Sequence, residues 1–329
     1  MKIVLAPMDG LTDSYARDIL TRIGGFDLCV TEFLRVTDTL FPQRVFYRRF
    51  PELNPNNTQV ISHTSSGIPV FLQLLGSDPQ AMAENAAKAV ALGSQGIDLN
   101  FGCPAKTVNR REGGASLLQY PERIYQLVQS VRQAVPEQIP VTAKMRLGYD
   151  DPSLAMDNAL AIENGGADWV TVHARTKLDG YRPPAYWEAL APVRKALAIP
   201  VIANGEIWSV DDYLLCRQKS QCEDVMLGRG AMVIPDLALQ IKYKTGQLSH
   251  EHYKPLSWTD VVKHLEQLYL LMSTNTALKE RYIAPRLKLW VKWLMPTYTQ
   301  AEDIFSELKK IRNAGDAIKL IQDSSKAVD

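Results

Sequence analysis

One cysteine stands where the chain changes character. Gly96-Ile97-Asp98-Leu99 is a short apolar run of the kind that ends a buried strand. Asn100-Phe101-Gly102-Cys103-Pro104-Ala105-Lys106-Thr107-Val108-Asn109-Arg110 follows it. Gly102 and Pro104 bracket the thiol between a flexible and a rigid residue, which holds it on a loop and not in a core. Gly113-Gly114-Ala115 then permits a close backbone approach before Ser116-Leu117-Leu118 begins a helical pattern. A thiol at a strand mouth, beside an amide and two cations, is placed for chemistry; the competing reading is a buried structural cysteine.

Polar groups follow other apolar runs in the same way. Pro7-Met8 follows Ile3–Ala6, and Gln73 lies in Val70–Leu74. Lys144 and Arg146 end the next run, and His173 and Arg175 the one after. Asn204-Gly205-Glu206 and Gly228-Arg229-Gly230 close the last two. The glycines beside Glu206 and Arg229 expose backbone N–H groups, and amides with a guanidinium are the donors a phosphate needs. Lys144 needs a partner or ligand, because a bare buried ammonium is very costly. It forms a Schiff base, as in an aldolase, or sits charged against an electron-rich cofactor such as a reduced flavin, or makes a structural ion pair.

The elements that must position these groups alternate along the chain. Eight short apolar runs, Ile3–Ala6, Leu28–Thr31, Val70–Leu74, Gly96–Asn100, Val141–Met145, Trp169–His173, Val201–Ala203 and Val225–Leu227, are separated mostly by helical patterns. Those helices are expected over Ser14–Ile23, Pro79–Leu92, Pro121–Val135, Leu154–Asn164, Trp187–Leu197 and Val210–Arg217. Eight strands and intervening helices predict an α/β fold that closes as a TIM (β/α)8 barrel, with the site at the C-terminal strand ends. A doubly wound sheet is the alternative, but Ala6-Pro7-Met8-Asp9-Gly10 stands where its glycine fingerprint would be. The connection from Phe33 to His63 mixes Arg35, Arg44, Arg48 and Arg49 with Phe41, Phe46, Tyr47 and Phe50. Such a mixture suits phosphate and base contacts, or else the aromatics cover the barrel's side.

After residue 245 only helical spacing remains. Ser257 is expected as an N-cap, and Pro285–Trp293, Ala301–Arg312 and Gly315–Ile321 as later helices. The division is therefore 1–245, the barrel, and 246–329, a small helical domain joined by a linker over 246–253. Charge follows it loosely: 23 Lys+Arg against 26 Asp+Glu up to Ile241, then 14 against 10. The positive excess points weakly to a polyanion partner. Cysteines at 29, 103, 216 and 222 form no Cys-x-x-Cys pair. That argues for a reducing cytoplasm and against a metal site. No apolar run reaches the length of a membrane span, and Pro7 breaks the N-terminus too soon for a signal peptide.

Taken together, Ala6-Pro7-Met8, Gln73-Leu74, Asp98 to Pro104, Lys144-Met145-Arg146, Val172 to Thr176, Ala203 to Glu206 and Gly228-Arg229-Gly230 resemble the tRNA-dihydrouridine synthases, in order along the whole barrel. The stretch Leu99 to Asn109, with the helical tail, is most similar to the bacterial C-type branch, which acts at uridine 16 of the D-loop. The resemblance implies FMN, NADPH as reductant and tRNA as partner; a monomer is expected. It implies cofactor contacts at Pro7, Met8, Asp9, Gln73, Lys144, His173, Asn204, Gly205, Glu206, Gly228 and Arg229. It implies Cys103 as the catalytic acid, and tRNA contacts at Arg35, Asn100, Arg146, Tyr181, Arg286, Lys288, Trp293 and Lys309. Two departures stand out: Lys309 and Trp293, where the branch commonly has arginine and a smaller aromatic.

The implied reaction suits these residue types. Saturating C5–C6 of uracil takes a hydride at C6, which reduced FMN can give, and a proton at C5. A cysteine of ordinary pKa, about 8.5, is mostly a thiol at neutral pH and can give that proton. Asn100 and Arg146 are candidates to orient the base, and a uridine leaves its stack more easily from a loop than from a duplex. Positions 20 and 17, a Schiff-base aldolase on Lys144, and a flavin-free RNA-binding module remain as alternatives.

Overall fold

Residues two apart on a strand share a face, so the order of side chains along each strand decides how the barrel interior is layered. Phe71 precedes Gln73, Trp169 precedes Thr171 and His173, and Ile202 precedes Asn204. The apolar member of each set comes first, toward the strand's N-terminal end. Val4, Ala6, Leu28, Val30, Phe71, Ile202 and Met226 form one buried cluster, with Trp169 packed against it. Phe71 and Trp169 stack with ring centroids 5.7 Å apart. This plug fills the lower barrel, and the polar residues that follow are lifted to its upper end.

The computed structural model of the protein describes residues 1–57, 60–109, 112–249, 253–276 and 278–326. Arg110 of the cysteine motif and residues 250–252 of the expected linker lie outside them. Among the described residues, nine strands run β1 (Ile3–Leu5), β2 (Leu28–Val30), β3 (Leu34–Arg35), β4 (Val70–Leu75), β5 (Ile97–Phe101), β6 (Val141–Gly148), β7 (Trp169–Thr176), β8 (Val201–Asn204) and β9 (Val225–Leu227). The order β2-β1-β9-β8-β7-β6-β5-β4 is parallel throughout, and β2 also pairs with β4. That pairing closes an eight-stranded parallel barrel, as expected. β3 is an addition: Leu34 pairs with Leu74 and extends the barrel wall past the end of β2.

The barrel's helices start where local chemistry dictates. Asp78 accepts from Ala81 N at 2.7 Å, with Pro79 in the first turn of Pro79–Ala91. Pro121 is likewise the first residue of Pro121–Ala134, there without a side-chain cap. Trp187–Leu197 is a 3-10 turn, Trp187–Ala189, running into Leu190–Ala196.

The chain divides into two compact units, one of residues 1–14, 26–207 and 211–228, the other of residues 15–25, 208–210 and 229–329. The second unit is helical. Ser257 caps Trp258–Ser273 through a reciprocal box with Asp260. Leu265, Leu268, Leu287, Trp290, Leu294, Leu308 and Ile321 are buried among this helix, Ile283–Leu294, Thr299–Leu308 and Ala314–Lys326. Pro285 is the third residue of its helix and not the first, because the turn Glu280–Tyr282 runs directly into Ile283. No helix of the described residues is long and apolar enough to cross a membrane.

Candidate active site

The Cys103 loop is fixed from four directions. Asn100 Oδ1 accepts from Gly102 N and Cys103 N, each at 2.9 Å. Arg146 Nε donates to Gly102 O at 2.8 Å. Ala115 N and Asn109 Nδ2 donate to Cys103 O at 3.1 and 3.0 Å. Gly114 has φ +62°, and a Cβ there would lie 3.0 Å from Cys103 O and 3.1 Å from Cys103 Cβ. Glycine is therefore required for the approach of the two segments. Cys103 is half-buried, whereas Cys29, Cys216 and Cys222 are buried. Burial pushes the Cys103 thiol above its ordinary range, against smaller opposing pulls from the Ala105 amide and the Arg146 charge.

Arg146 also reaches the loop after β7. Its Nη1 donates to Thr176 O at 2.9 Å and Gly180 O at 2.8 Å, and its guanidinium lies 5.1 Å from the centre of the Tyr181 ring. Asp179 accepts from Thr176 N and Oγ1, both at 2.8 Å, which tightens the turn. One buried guanidinium thus ties the thiol loop to the loop carrying exposed Tyr181. Asn100 and Arg146, expected to orient a base, here direct these atoms to the protein's own backbone.

Beside them, Lys144 stands next to Asn100 in the sheet register and next to Thr171 on the other side. Burial lowers its ammonium to about 8, the Arg146 charge adds to the effect, and Asp98 and Cys103 oppose it. Among the described residues no hydrogen bond or ion pair engages Lys144 Nζ. A desolvated cation with that gap fits a flat ring that gains negative charge on reduction.

The phosphate-type loop is equally constrained. Gly205 has φ +114°, and a Cβ there would lie 3.0 Å from His173 Cδ2. Trp187 Nε1 donates to Gly205 O at 2.8 Å, and Asn204 Nδ2 to Met226 O at 2.8 Å. The Glu206 carboxylate is 2.9 Å from Nη2 of fully buried Arg175. Arg175 Nε donates to Pro184 O at 3.1 Å. Glu206 and Arg175 thus hold the loop's shape. After β1, Met8 N donates to Thr12 Oγ1 at 2.7 Å, and Asp9 pairs with Arg49 at 2.9 Å. Arg49 also donates to Phe33 O, and Phe46 and Phe50 are fully buried. The aromatic-arginine connection therefore divides: Arg49 braces the first loop, the two phenylalanines pack inside, and Arg44 and Arg48 are exposed.

Pro7, Met8, Asp9, Gln73, Lys144, His173, Asn204, Gly205, Glu206 and Gly228 belong to the barrel unit, as do Arg35, Asn100, Arg146 and Tyr181. Arg35 Nη2 donates to Thr107 O at 3.1 Å, which brings it to the helix after Cys103. Arg229 belongs to the second unit, where its guanidinium lies 4.8 Å from the Trp208 ring centre. In the same unit Arg286 is buried, Trp293 half-buried and Lys309 exposed. Lys288 Nζ donates to Lys309 O at 3.0 Å, closing the end of Thr299–Leu308. Sequence reasoning missed Asp98 and Thr142 as members of the site. The signal for Asp98 was its place two residues before Asn100, on the same strand face.

The model of the dihydrouridine synthase (Dus) family matches residues 4–326. A tRNA-dihydrouridine(16) synthase of Pseudomonas putida is 49% identical over 310 residues, covering 94% of this chain and 93% of that protein. One of Shewanella oneidensis is 47% identical over 322 residues, 98% of each. One of Haemophilus influenzae is 44% identical over 317 residues, 96% of this chain and 97% of that protein. Among solved structures, a 2-naphthoyl-CoA reductase complex superposes with a TM-score of 0.55 at 11% identity, over 73% of this chain and 49% of that one, a likeness of fold alone.

Proposed function

This chain belongs to the dihydrouridine synthase family, and on that premise we propose that it reduces uridine 16 of the tRNA D-loop with FMN as resident cofactor, NADPH as reductant and Cys103 as proton donor. The observation that carries the reading is a half-buried thiol, kept protonated by its surroundings, on a loop pinned beside the Lys144 cation. Support for position 16 comes from the near full-length likeness to relatives bearing that name.

When bound, reduced FMN supplies the hydride that saturates C6. The chain's own residues do the rest. Cys103 Sγ gives its proton to C5 of the base and is left as a thiolate, which regains a proton from solvent. The raised thiol pKa keeps the proton in place until the base accepts it, and Arg146 and Arg35 temper the charge left behind. Lys144 supplies a counter-charge to the reduced ring, and Gln73 supplies amide hydrogen bonds. His173, Asn204, Gly205, Glu206, Gly228 and Arg229 serve the phosphate end, with Pro7, Met8 and Asp9 lining the first loop. Arg35, Asn100, Arg146 and Tyr181 serve the D-loop side of the substrate. Arg286, Lys288, Trp293 and Lys309 belong to the tRNA-binding helices of a domain over 246–329, joined to a catalytic barrel over 1–245. A monomer in the cytoplasm, where tRNA is modified, completes the reading.

Two measurements test it. Mapping dihydrouridine in tRNA from cells with and without the gene is expected to show loss at position 16 alone; loss at 20 or 17 instead overturns the position. Chromatography of the released chromophore is expected to give FMN, and a colourless protein overturns the cofactor.

A further inference from the structure

Asp98 is buried at 1% exposure on β5, between Gln73 of β4 and Thr142 of β6 in the sheet register. Gln73 Nε2 donates to Asp98 Oδ2 at 2.7 Å, and Thr142 Oγ1 to Asp98 Oδ1 at 2.6 Å. Asn100 Nδ2 then donates to Gln73 Oε1 at 2.8 Å, and Asn100 Oδ1 accepts from the Gly102 and Cys103 amides. The path from Asp98 to the thiol loop is therefore continuous.

We propose that Asp98 is a positioning residue: its carboxylate sets the direction of the Gln73 and Asn100 amides and, through them, holds the Cys103 loop in place. A side-chain amide carries a donor and an acceptor of nearly equal shape, so each one needs an external reference to choose its orientation. Here the two ends supply it. Backbone N–H groups only donate, so the Asn100 atom facing Gly102 and Cys103 is oxygen. Its nitrogen faces Gln73, whose facing atom is therefore oxygen, and the Gln73 nitrogen then needs an acceptor. Asp98 Oδ2 is that acceptor. Thr142 suits the other carboxyl oxygen because a hydroxyl both donates and accepts, so the direction of the relay survives a change in protonation at Oδ1. In a buried, low-dielectric setting a broken link leaves a polar group without a partner and loosens what it held.

This inference rests on the reading that Cys103 matters for the reaction, but its test does not, because the readout is the thiol itself. Alkylation of Cys103 by iodoacetamide is followed by peptide mass mapping, with FMN in excess throughout. Asp98→Leu removes the acceptor and is expected to raise the alkylation rate about tenfold, the fold-change that matches one lost buried hydrogen bond. Asp98→Asn keeps an oxygen for Gln73 and turns its nitrogen to Thr142, so its rate is expected to stay within about twofold of wild type. Gln73→Leu cuts the relay in its middle and is expected to match Asp98→Leu; it carries the test if Asp98→Leu does not fold. A folded Asp98→Leu or Gln73→Leu with wild-type alkylation overturns the proposal, as does an Asp98→Asn as reactive as Asp98→Leu. If Cys103 is not the proton donor, Cys103→Ala keeps its turnover while these alkylation results stand, so the two failures are distinguishable.

Discussion

Replacing Gly114 by alanine tests whether the placement of the thiol depends on the segment behind it. The residue sits at φ +62°, where an L side chain costs about 1–2 kcal/mol. The new Cβ would stand 3.0 Å from Cys103 O, 3.0 Å from Val108 Cγ1 and 3.1 Å from Cys103 Cβ, so the thiol loop must yield by a few tenths of an ångström or more. Alanine also reduces the freedom of the unfolded chain, which returns about 0.4–1 kcal/mol. The two conformational terms leave a net loss of about 1 kcal/mol, or roughly 2–4 °C in Tm for a unit of this size, and the displaced contacts add to it. A protein with ordinary reserves stays folded at that cost. The reaction is more sensitive, since displacing a reacting group by about 1 Å costs about 10²-fold in rate. The assay is single-turnover formation of dihydrouridine at 25 °C, beside a melting curve. A rate within about twofold of wild type, with the expected fall in Tm, would show that the thiol does not rely on this contact and would refute the reasoning.

Three further outcomes are expected. Lys144 titrates near 8 in the folded protein and near 10.4 unfolded, so between those values the unfolded chain holds the extra proton and stability rises with pH. Relative to Lys144→Met, the cofactor-free protein should gain about 2 kcal/mol in urea unfolding as pH climbs from 8 to 10.4, and a constant difference would contradict this. Glu206→Leu strips the partner from fully buried Arg175 and should cost about 3 kcal/mol in chemical denaturation, with weaker flavin retention; wild-type stability would contradict it. Lys309→Glu, at an exposed position, should weaken tRNA binding and make its salt dependence shallower by about one unit while leaving Tm unchanged, and equal affinity would remove this residue from the substrate surface.

Much of the barrel was legible because its strands are short apolar runs whose ends are marked by polar residues and glycine. All eight expected strands are present, displaced at their ends by up to three residues, as at Arg146 to Gly148 and Ala174 to Thr176. Those two strands run on because they pair with each other past the apolar run, Arg146 with His173 and Gly148 with Thr176, and the Arg146 and Asp179 side chains hold Thr176 at the end. β3 was not legible: two residues carry no periodicity, and Leu34–Arg35 is a strand only because β4 lies alongside. At the site, residue types and strand positions pointed to Cys103, Lys144 and the glycine loops. Their hydrogen bonding did not show in the sequence. Nothing local says that Arg146 grips three carbonyls, that Asp9 pairs with Arg49 forty residues on, or that Glu206 meets Arg175. These pairings are set by which strand ends become neighbours when the barrel closes. Lys144 shows the limit of chemistry without family: a lysine lowered to about 8 suits a Schiff base as well as a flavin, and membership of a reductase family is what removes the aldolase.

The central claim is that the Cys103 thiol delivers the proton to C5 of the uridine. It is tested most directly by single-turnover reduction of tRNA with prereduced protein, comparing wild type with Cys103→Ala at equal bound flavin. The variant is expected to keep its colour and its reduction by NADPH while dihydrouridine forms about 10²–10⁴-fold more slowly. Formation at the wild-type rate would contradict it.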